Sequence, residues 1–199
     1  MQEPLPSMPR PLLFAVVVEG GIGVLAVALG SLFRHPPVDA ISWNLHDASI
    51  GGIGALPLVI VVWLGIRSGW RPFQDMLRLV DEVVLPLFQP CRIWELAAIA
   101  ALAGLGEEML FRGVIQNVVA DQFIEPLGTA VGWIAAALVF GLLHWVTPTY
   151  AVLASLIGLY LGWLWIATGN LLVPALVHAL YDFWALVYLV RFRRHPAQQ

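Results

Sequence analysis

The chain has no lysine and almost no cysteine. All ten basic residues are arginine, Cys91 is the single cysteine, and charged residues make up 12% of the 199. One cysteine excludes a disulfide framework and a thiolate metal cluster. Cys91 itself reads as a small interfacial residue rather than a catalytic thiol. A soluble domain carries about a quarter charged residues. So little charge beside 60% hydrophobic residues, with a mean hydropathy of +0.83, excludes an ordinary water-soluble globule. A formal charge of −3 offers no basic footprint for nucleic acid. No small-residue cleavage site follows the first apolar run, and Met1 to Arg10 holds Pro4, Pro6 and Pro9, so this segment reads as leading into a retained span rather than as a secretory signal. The tail from His195 to Gln199 carries no prenylation box.

What is present is apolar runs of spanning length. A transmembrane helix needs about 20 mostly apolar residues, and such runs cover 12–33, 50–66, 93–120, 129–146, 150–167 and 171–190. The second is short and holds Pro57, and a polar stretch, 34–49, precedes it. Between the second and third runs the pattern changes. Phe73, Met76, Leu77, Val80, Val83, Val84, Leu87 and Phe88 share one helical face, and Gln74, Asp75, Arg78, Asp81 and Glu82 share the other. That is an amphipathic helix lying in the interface plane over 72–90, begun by Pro72 and ended by Pro86 and Pro90. The expected fold is an all-α polytopic transmembrane bundle of about six spans plus this interfacial helix, one membrane domain over 1–199 with no repeat. Arg67, Arg71, Arg78 and Arg92 lie in one loop, Arg191, Arg193 and Arg194 follow the last run, and Arg10 precedes the first. Six spans with both termini cytoplasmic put all of these on one side and leave Arg34 on the other. Trp133, Trp145, Trp163 and Trp165 read as interface anchors, with Trp145 also able to wall a pocket beside His144.

The informative residues are those that an apolar span should not hold. An ionisable group inside a span costs about 2.5–3.5 kcal/mol on insertion scales and persists only when paired or used. The third run carries Glu107, Glu108 and Arg112, the fourth ends near His144, and the sixth carries His178 and Asp182. Glu108 and Arg112 are four apart and share a face, as do His178 and Asp182. Glu107 is rotated by about 100° from Glu108, so one carboxylate can pair with the arginine while the other faces a different helix. Gly104, Gly106, Gly113, Gly141, Gly158 and Gly162 allow close helix approach, and Glu107, Glu108, His144, His178 and Asp182 are expected to converge on one buried, hydrated pocket. Glu19, beside Gly20 and Gly21, either lines the pocket or snorkels, with snorkelling the preferred reading, Glu95 reads as interfacial, and Asn170 as part of a turn with Thr168 and Gly169. Glu108 with Arg112 equally suits a purely structural ion pair.

A buried carboxylate beside an imidazole is a general base for water, and a second histidine with a nearby acid could hydrogen-bond an oxyanion. Two histidines and two carboxylates equally suit zinc, although the spacing is not HExxH; metal and metal-free hydrolysis both stay open.

In order, Glu107-Glu108-Met109-Leu110-Phe111-Arg112, Phe140-Gly141-Leu142-Leu143-His144 and His178-Ala179-Leu180-Tyr181-Asp182 resemble the EExxxR, FxxxH and HxxxN/D motifs of the CPBP intramembrane proteases. These are the type II CAAX-protease and bacteriocin-processing (Abi) enzymes related to the Rce1 prenyl protease. The resemblance covers 93–190, the expected catalytic core. It implies a helical membrane endopeptidase in which Glu107 and His144 activate water, Glu108 pairs with Arg112, and His178 with residue 182 stabilises the oxyanion. If a metal is bound, Glu107, Glu108, His144 and His178 are its expected ligands. Asp182 stands where the prenyl-protease branch has Asn. A carboxylate is a poorer oxyanion donor, which favours orientation of His178, or a metal site, and lends nothing to a prenylated substrate. The expected partners are the lipid bilayer and a protein or peptide substrate, in a prokaryotic plasma membrane. The competing functions are a proton-coupled transporter, which the missing inverted repeat disfavours, and a non-catalytic membrane scaffold, for which so complete a motif set is unnecessary.

Overall fold

In the computed structural model, which describes residues 11–193, the chain forms seven helices. These are α1 (Pro11–Phe33), α2 (Leu45–Arg67), α3 (Arg71–Phe88), α4 (Ile93–Ala120), α5 (Leu127–Leu143), α6 (Pro148–Thr168) and α7 (Leu172–Phe192). No strand occurs among the described residues. The readings that rest on Met1 to Arg10 and on Arg194 to Gln199 lie outside them.

α1, α2, α6 and α7 are long and apolar enough to cross a membrane, and α3 with α4, bent by 110° at their junction, would be a fifth if the bent pair is one broken span rather than a re-entrant loop. This is fewer than the six spans expected. Any span-length stretch of α4 contains Glu107 and Glu108 together with Glu95 or Arg112, and α5 has only 17 residues. At 1.5 Å per residue α5 is about 25 Å long, which leaves His144 at its C-terminal cap short of a full crossing. Val17, Val24 and Leu32 of α1, Ile53 of α2 and Val152 of α6 face outward, an apolar surface that lipid covers and water does not.

Local chemistry explains the boundaries. α2 starts at Leu45, inside the stretch expected to be a polar loop, because the Asn44 side chain accepts the Asp47 N–H at 2.8 Å and caps it. Pro57 lies within the continuous helix. Arg92 N–H donates to Glu95 Oε2 at 2.6 Å, so Glu95 caps the start of α4. α6 is capped by Thr147, carries Pro148 in its first turn, and ends at Gly169 with φ +63°. Asn170 does more than turn the chain. Its Nδ2 donates to Ser42 O at 2.8 Å and to Asp47 Oδ2 at 2.7 Å, and its Oδ1 accepts the Ser42 N–H at 2.9 Å. The α1–α2 loop is thereby latched to the α6–α7 turn.

α3 departs from its expected pattern. Pro86 does not end it; the helix runs to Phe88 through a π-helical turn at Val80–Val84. Pro86 has no N–H for the usual bond and crowds the carbonyl four residues back, and a wider turn relieves both. The extra residue rotates the face, so Leu85 is buried and Val83 is exposed. Phe73, Met76 and Leu77 pack against Ile66 of α2 and against Tyr150 and Leu153 of α6, so the apolar face rests on protein. Arg193 pairs with Asp81 at 2.8 Å, and Arg191 donates to the Cys91 carbonyl. The arginines around α3 and those ending α7 therefore share one end of the bundle.

Small residues set the approach of the main pairs. α4 packs on α7 and α1, α5 on α6, and α2 on α7. A Cβ on Gly104 would lie 2.6 Å from Ala179 N of α7, and one on Gly106 would lie 2.7 Å from Glu19 O of α1. Two tryptophans expected as interface anchors turn inward instead. Trp133 Nε1–H donates to Leu159 O at 2.7 Å, and Trp165 packs on the cluster of Met109, Phe111 and Phe140. Trp145 and Trp163 are exposed.

Candidate active site

α4, α5, α6 and α7 bring the ionisable residues of the expected core into one cluster. Its floor is fully buried. Arg112 Nη1–H donates to Glu108 Oε1 at 2.7 Å, one helical turn away, and the same oxygen lies 2.8 Å from His178 Nδ1 of α7. Arg112 Nη2–H reaches the Gly158 carbonyl of α6 at 3.0 Å. Its guanidinium sits 4.7 Å above the Phe140 ring of α5, a cation–π contact in a dry setting. Glu108 thus joins α4 to α7, and Arg112 joins α4 to α5 and α6. On the far side of the imidazole, His178 Nε2 lies 3.3 Å from Asp182 Oδ2. Both nitrogens of His178 therefore face carboxylates.

The second part of the cluster is more open. Glu107 faces His144, with Oε2 3.7 Å from Nε2, too far for a direct hydrogen bond. His144 is held on three sides. Its Nδ1 lies 2.8 Å from the Phe140 carbonyl; a carbonyl only accepts, so Nδ1 carries the hydrogen. Its ring stacks on Phe140 with centroids 4.3 Å apart and meets the edge of Tyr150 at 6.2 Å. Nε2 is left with its lone pair turned toward Glu107. Phe140 is the hub, also touching Phe111 at 5.0 Å and His178 at 5.9 Å edge to face. The stretch of α4 that follows the glutamates, Met109–Gln116, is wound as a π-helix, an irregularity often found at functional sites.

Two residues join the cluster that sequence reasoning did not place there. Glu19 of α1, read as snorkelling, lies within electrostatic range of Glu107, His178 and Asp182. It lines a cleft of about 510 Å³ between α1 and α4 with Gly23, Gly106 and Met109. A carboxylate seven residues inside a span was signal enough to suspect this. Tyr150 left no such signal, since a tyrosine at the head of an apolar run looks like an interface residue.

Zinc does not fit this arrangement. The four ligands it would need are Glu107, Glu108, His144 and His178. Glu108 Oε1 is shared by Arg112 and His178, both His178 nitrogens face carboxylates, and among the described residues no three His, Cys, Asp or Glu side chains gather to hold a metal.

Residues 89–184 match the family model described as type II CAAX prenyl endopeptidase Rce1-like. That segment contains every cluster residue except Glu19. The "uncharacterized protein YpbD" of Bacillus subtilis (strain 168) is 28% identical over 164 residues, covering 79% of this chain and 78% of that protein. No solved structure matches the chain.

Proposed function

From the Rce1-like core that residues 89–184 form, we propose that this protein is an intramembrane endopeptidase. It cuts a peptide bond in a membrane-associated protein or peptide tail by direct attack of water. The observation that carries this reading is the Glu107–His144 pair, with 3.7 Å between facing acceptor atoms and the His144 hydrogen committed to the Phe140 carbonyl. Two acceptors at that separation suit a shared water, which donates one hydrogen to each. Glu107 takes the proton as the water oxygen attacks the scissile carbonyl, and His144 holds the water in line. Glu107 then returns the proton to the leaving amine.

The buried group behind them sets position. Arg112 neutralises Glu108, Glu108 and Asp182 hold the His178 ring from opposite sides, and the ring braces Phe140, on which His144 stacks. The Asp at position 182 acts on His178 and not on substrate. α3 lies in the membrane interface, with its charged face toward the headgroups. The apolar helices and the Bacillus relative fit a multi-pass protein of a bacterial membrane, with the arginine-rich end of the bundle toward the cytoplasm.

The test uses purified protein in liposomes. It is given a quenched fluorescent peptide ending in a farnesyl-cysteine CAAX tail, the same peptide without the farnesyl group, and a single-span protein with a cytoplasmic tail. Wild type cleaves at least one of them. Glu107→Gln and His144→Ala abolish cleavage at unchanged yield and unfolding temperature. A wild type that cuts none of the three, or a Glu107→Gln variant that cuts as well as wild type, would falsify the proposal. Retention of cellular function by Glu107→Gln would favour a scaffold.

A further inference from the structure

Hydrolysis by water needs more than a base. The scissile carbonyl oxygen becomes an oxyanion, and a preorganised donor at that position is often the largest single contribution to rate. In the cluster most donors are either committed or buried away from a substrate. Arg112 gives one Nη1–H to Glu108 and one Nη2–H to the Gly158 carbonyl, and the rest of its guanidinium, the unpartnered Nε included, is buried out of reach of a substrate. His178 directs both nitrogens at Glu108 and Asp182. His144 gives Nδ1–H to Phe140. Asp182 and Glu107 are carboxylates.

Two phenol hydroxyls near the cluster are left without a hydrogen-bond partner among the described residues, those of Tyr150 and Tyr181, and of the two rings it is Tyr150 that meets His144. The Tyr150 ring meets the His144 ring at 6.2 Å and 63°, and its hydroxyl lies within electrostatic range of Glu107 and Asp182. Among the described residues that hydroxyl has no hydrogen-bond partner, whereas the hydroxyl of Tyr160, on the same helix, donates to the Gly54 carbonyl at 3.0 Å. The residue is firmly placed. Its N–H donates to Thr147 Oγ1 at 3.0 Å in the first turn of α6, and its ring packs with Leu153 against Phe73, Met76 and Leu77 of α3. A firmly packed ring that meets His144 and ends in an uncommitted O–H is the form an oxyanion donor takes.

We infer that Tyr150 is a further catalytic residue, donating its hydroxyl hydrogen bond to the oxyanion of the tetrahedral intermediate; the inference rests on the peptidase reading above. As the water oxygen bonds to the carbonyl carbon, its proton passes to Glu107 and the carbonyl π pair moves onto oxygen. That oxygen accepts the Tyr150 O–H without taking its proton. When the pair returns, the C–N bond breaks and the amine leaves with the proton held by Glu107. The phenol serves as the donor that an Asn at position 182 would otherwise supply.

The experiment compares wild type, Tyr150→Phe, Tyr181→Phe and Glu107→Gln in liposomes, on whichever of the three substrates wild type cuts. Tyr150→Phe keeps the ring and all its packing, so yield and unfolding temperature stay at wild-type values while kcat falls about a hundredfold or more with KM unchanged. Tyr181→Phe removes the neighbouring phenol hydroxyl and keeps its rate, since that ring packs among Leu58, Leu161, Leu164 and Val177 while the ring that meets His144 is Tyr150. A phosphonamidate analogue of the substrate, whose oxygen mimics the oxyanion, loses affinity for Tyr150→Phe and keeps it for Tyr181→Phe. Tyr150→Phe with wild-type kcat, or with a raised KM alone, overturns the inference while Glu107→Gln stays inactive. An active Glu107→Gln, or an inactive wild type, overturns the peptidase reading itself.

Discussion

Gly104 gives a stringent test of the architecture, because it sits where α4 and α7, joined by Glu108 and His178, meet. It lies one turn before Glu108 on α4 and faces Ala175 and Ala179, the residues that bracket His178 on α7. A Cβ there would lie 2.6 Å from Ala179 N, 2.8 Å from Ala175 O and 2.9 Å from Ala179 Cα. All three atoms are backbone, so no rotamer change relieves the clash. Ordinary contact begins near 3.4 Å, so Gly104→Ala must push α4 and α7 apart by roughly 0.8 Å. Transmitted to the neighbouring turn, that shift stretches the 2.8 Å contact between His178 Nδ1 and Glu108 Oε1 to about 3.6 Å, beyond hydrogen-bond range. The expected stability loss is that of an overpacked core, about 1–3 kcal/mol. The expected rate loss is on the order of a hundredfold, the usual effect of a displacement near 1 Å in a catalytic group. Thermal unfolding in detergent and cleavage in liposomes read the two effects. Gly52→Ala is the control, since a Cβ on that helical glycine meets nothing within 4 Å, and it should cost neither stability nor rate. If Gly104→Ala unfolds and cleaves like wild type, α4 and α7 are not in backbone contact and the cluster as described does not exist. Equal damage from Gly52→Ala would mean that the loss comes from changing a helical glycine rather than from the close approach.

Three further outcomes are expected. Arg112→Met leaves the fully buried Glu108 without its cation and should cost about 3–5 kcal/mol, read as a lowered unfolding temperature that Glu108→Leu in the same chain partly restores; an unchanged single variant would show that the pair is not buried. Exhaustive chelation with phenanthroline and EDTA should leave cleavage intact, because the donors do not gather as ligands; loss of activity that zinc restores would refute this. Cys91 is 2% exposed and packed with Ala15, Leu96 and Ile99, so a maleimide should label it only after denaturation, and prompt labelling of the folded protein would contradict that packing.

What could be read in advance follows from the range over which sequence carries information. Helical spacing acts within a few turns, so Glu108 with Arg112 and His178 with Asp182 were legible as pairs, and the rotation of Glu107 away from Glu108 was legible as a division between two partners. The apolar runs located the helices, and the Gly104 and Gly106 positions indicated where helices touch. Boundaries failed where side-chain hydrogen bonds override hydropathy, as at Asn44, where a cap starts α2 inside a stretch that reads as loop. The buried face of α3 failed past Val80 because the π turn before Pro86 adds a residue, and a fixed angle of 100° per residue has no place for one.

The contacts that distinguish this site from a set of motifs are those between distant stretches of chain. His178 and Glu108 are 70 residues apart and share a 2.8 Å contact, and no periodicity connects them. The same contact changes how the third motif is read. With Glu108 on one nitrogen and Asp182 on the other, His178 has nothing left to offer a substrate oxygen. On the proposed peptidase reading, the oxyanion donor then comes from elsewhere in the cluster. Tyr150 can supply it only because α5 ends at Leu143 and the chain turns into α6 within four residues, which brings the first turn of α6 against His144. An Asp in place of the usual Asn and a tyrosine at the head of the next helix are each unremarkable alone. Together they carry the proposed division of labour, in which position 182 holds the histidine and position 150 meets the substrate.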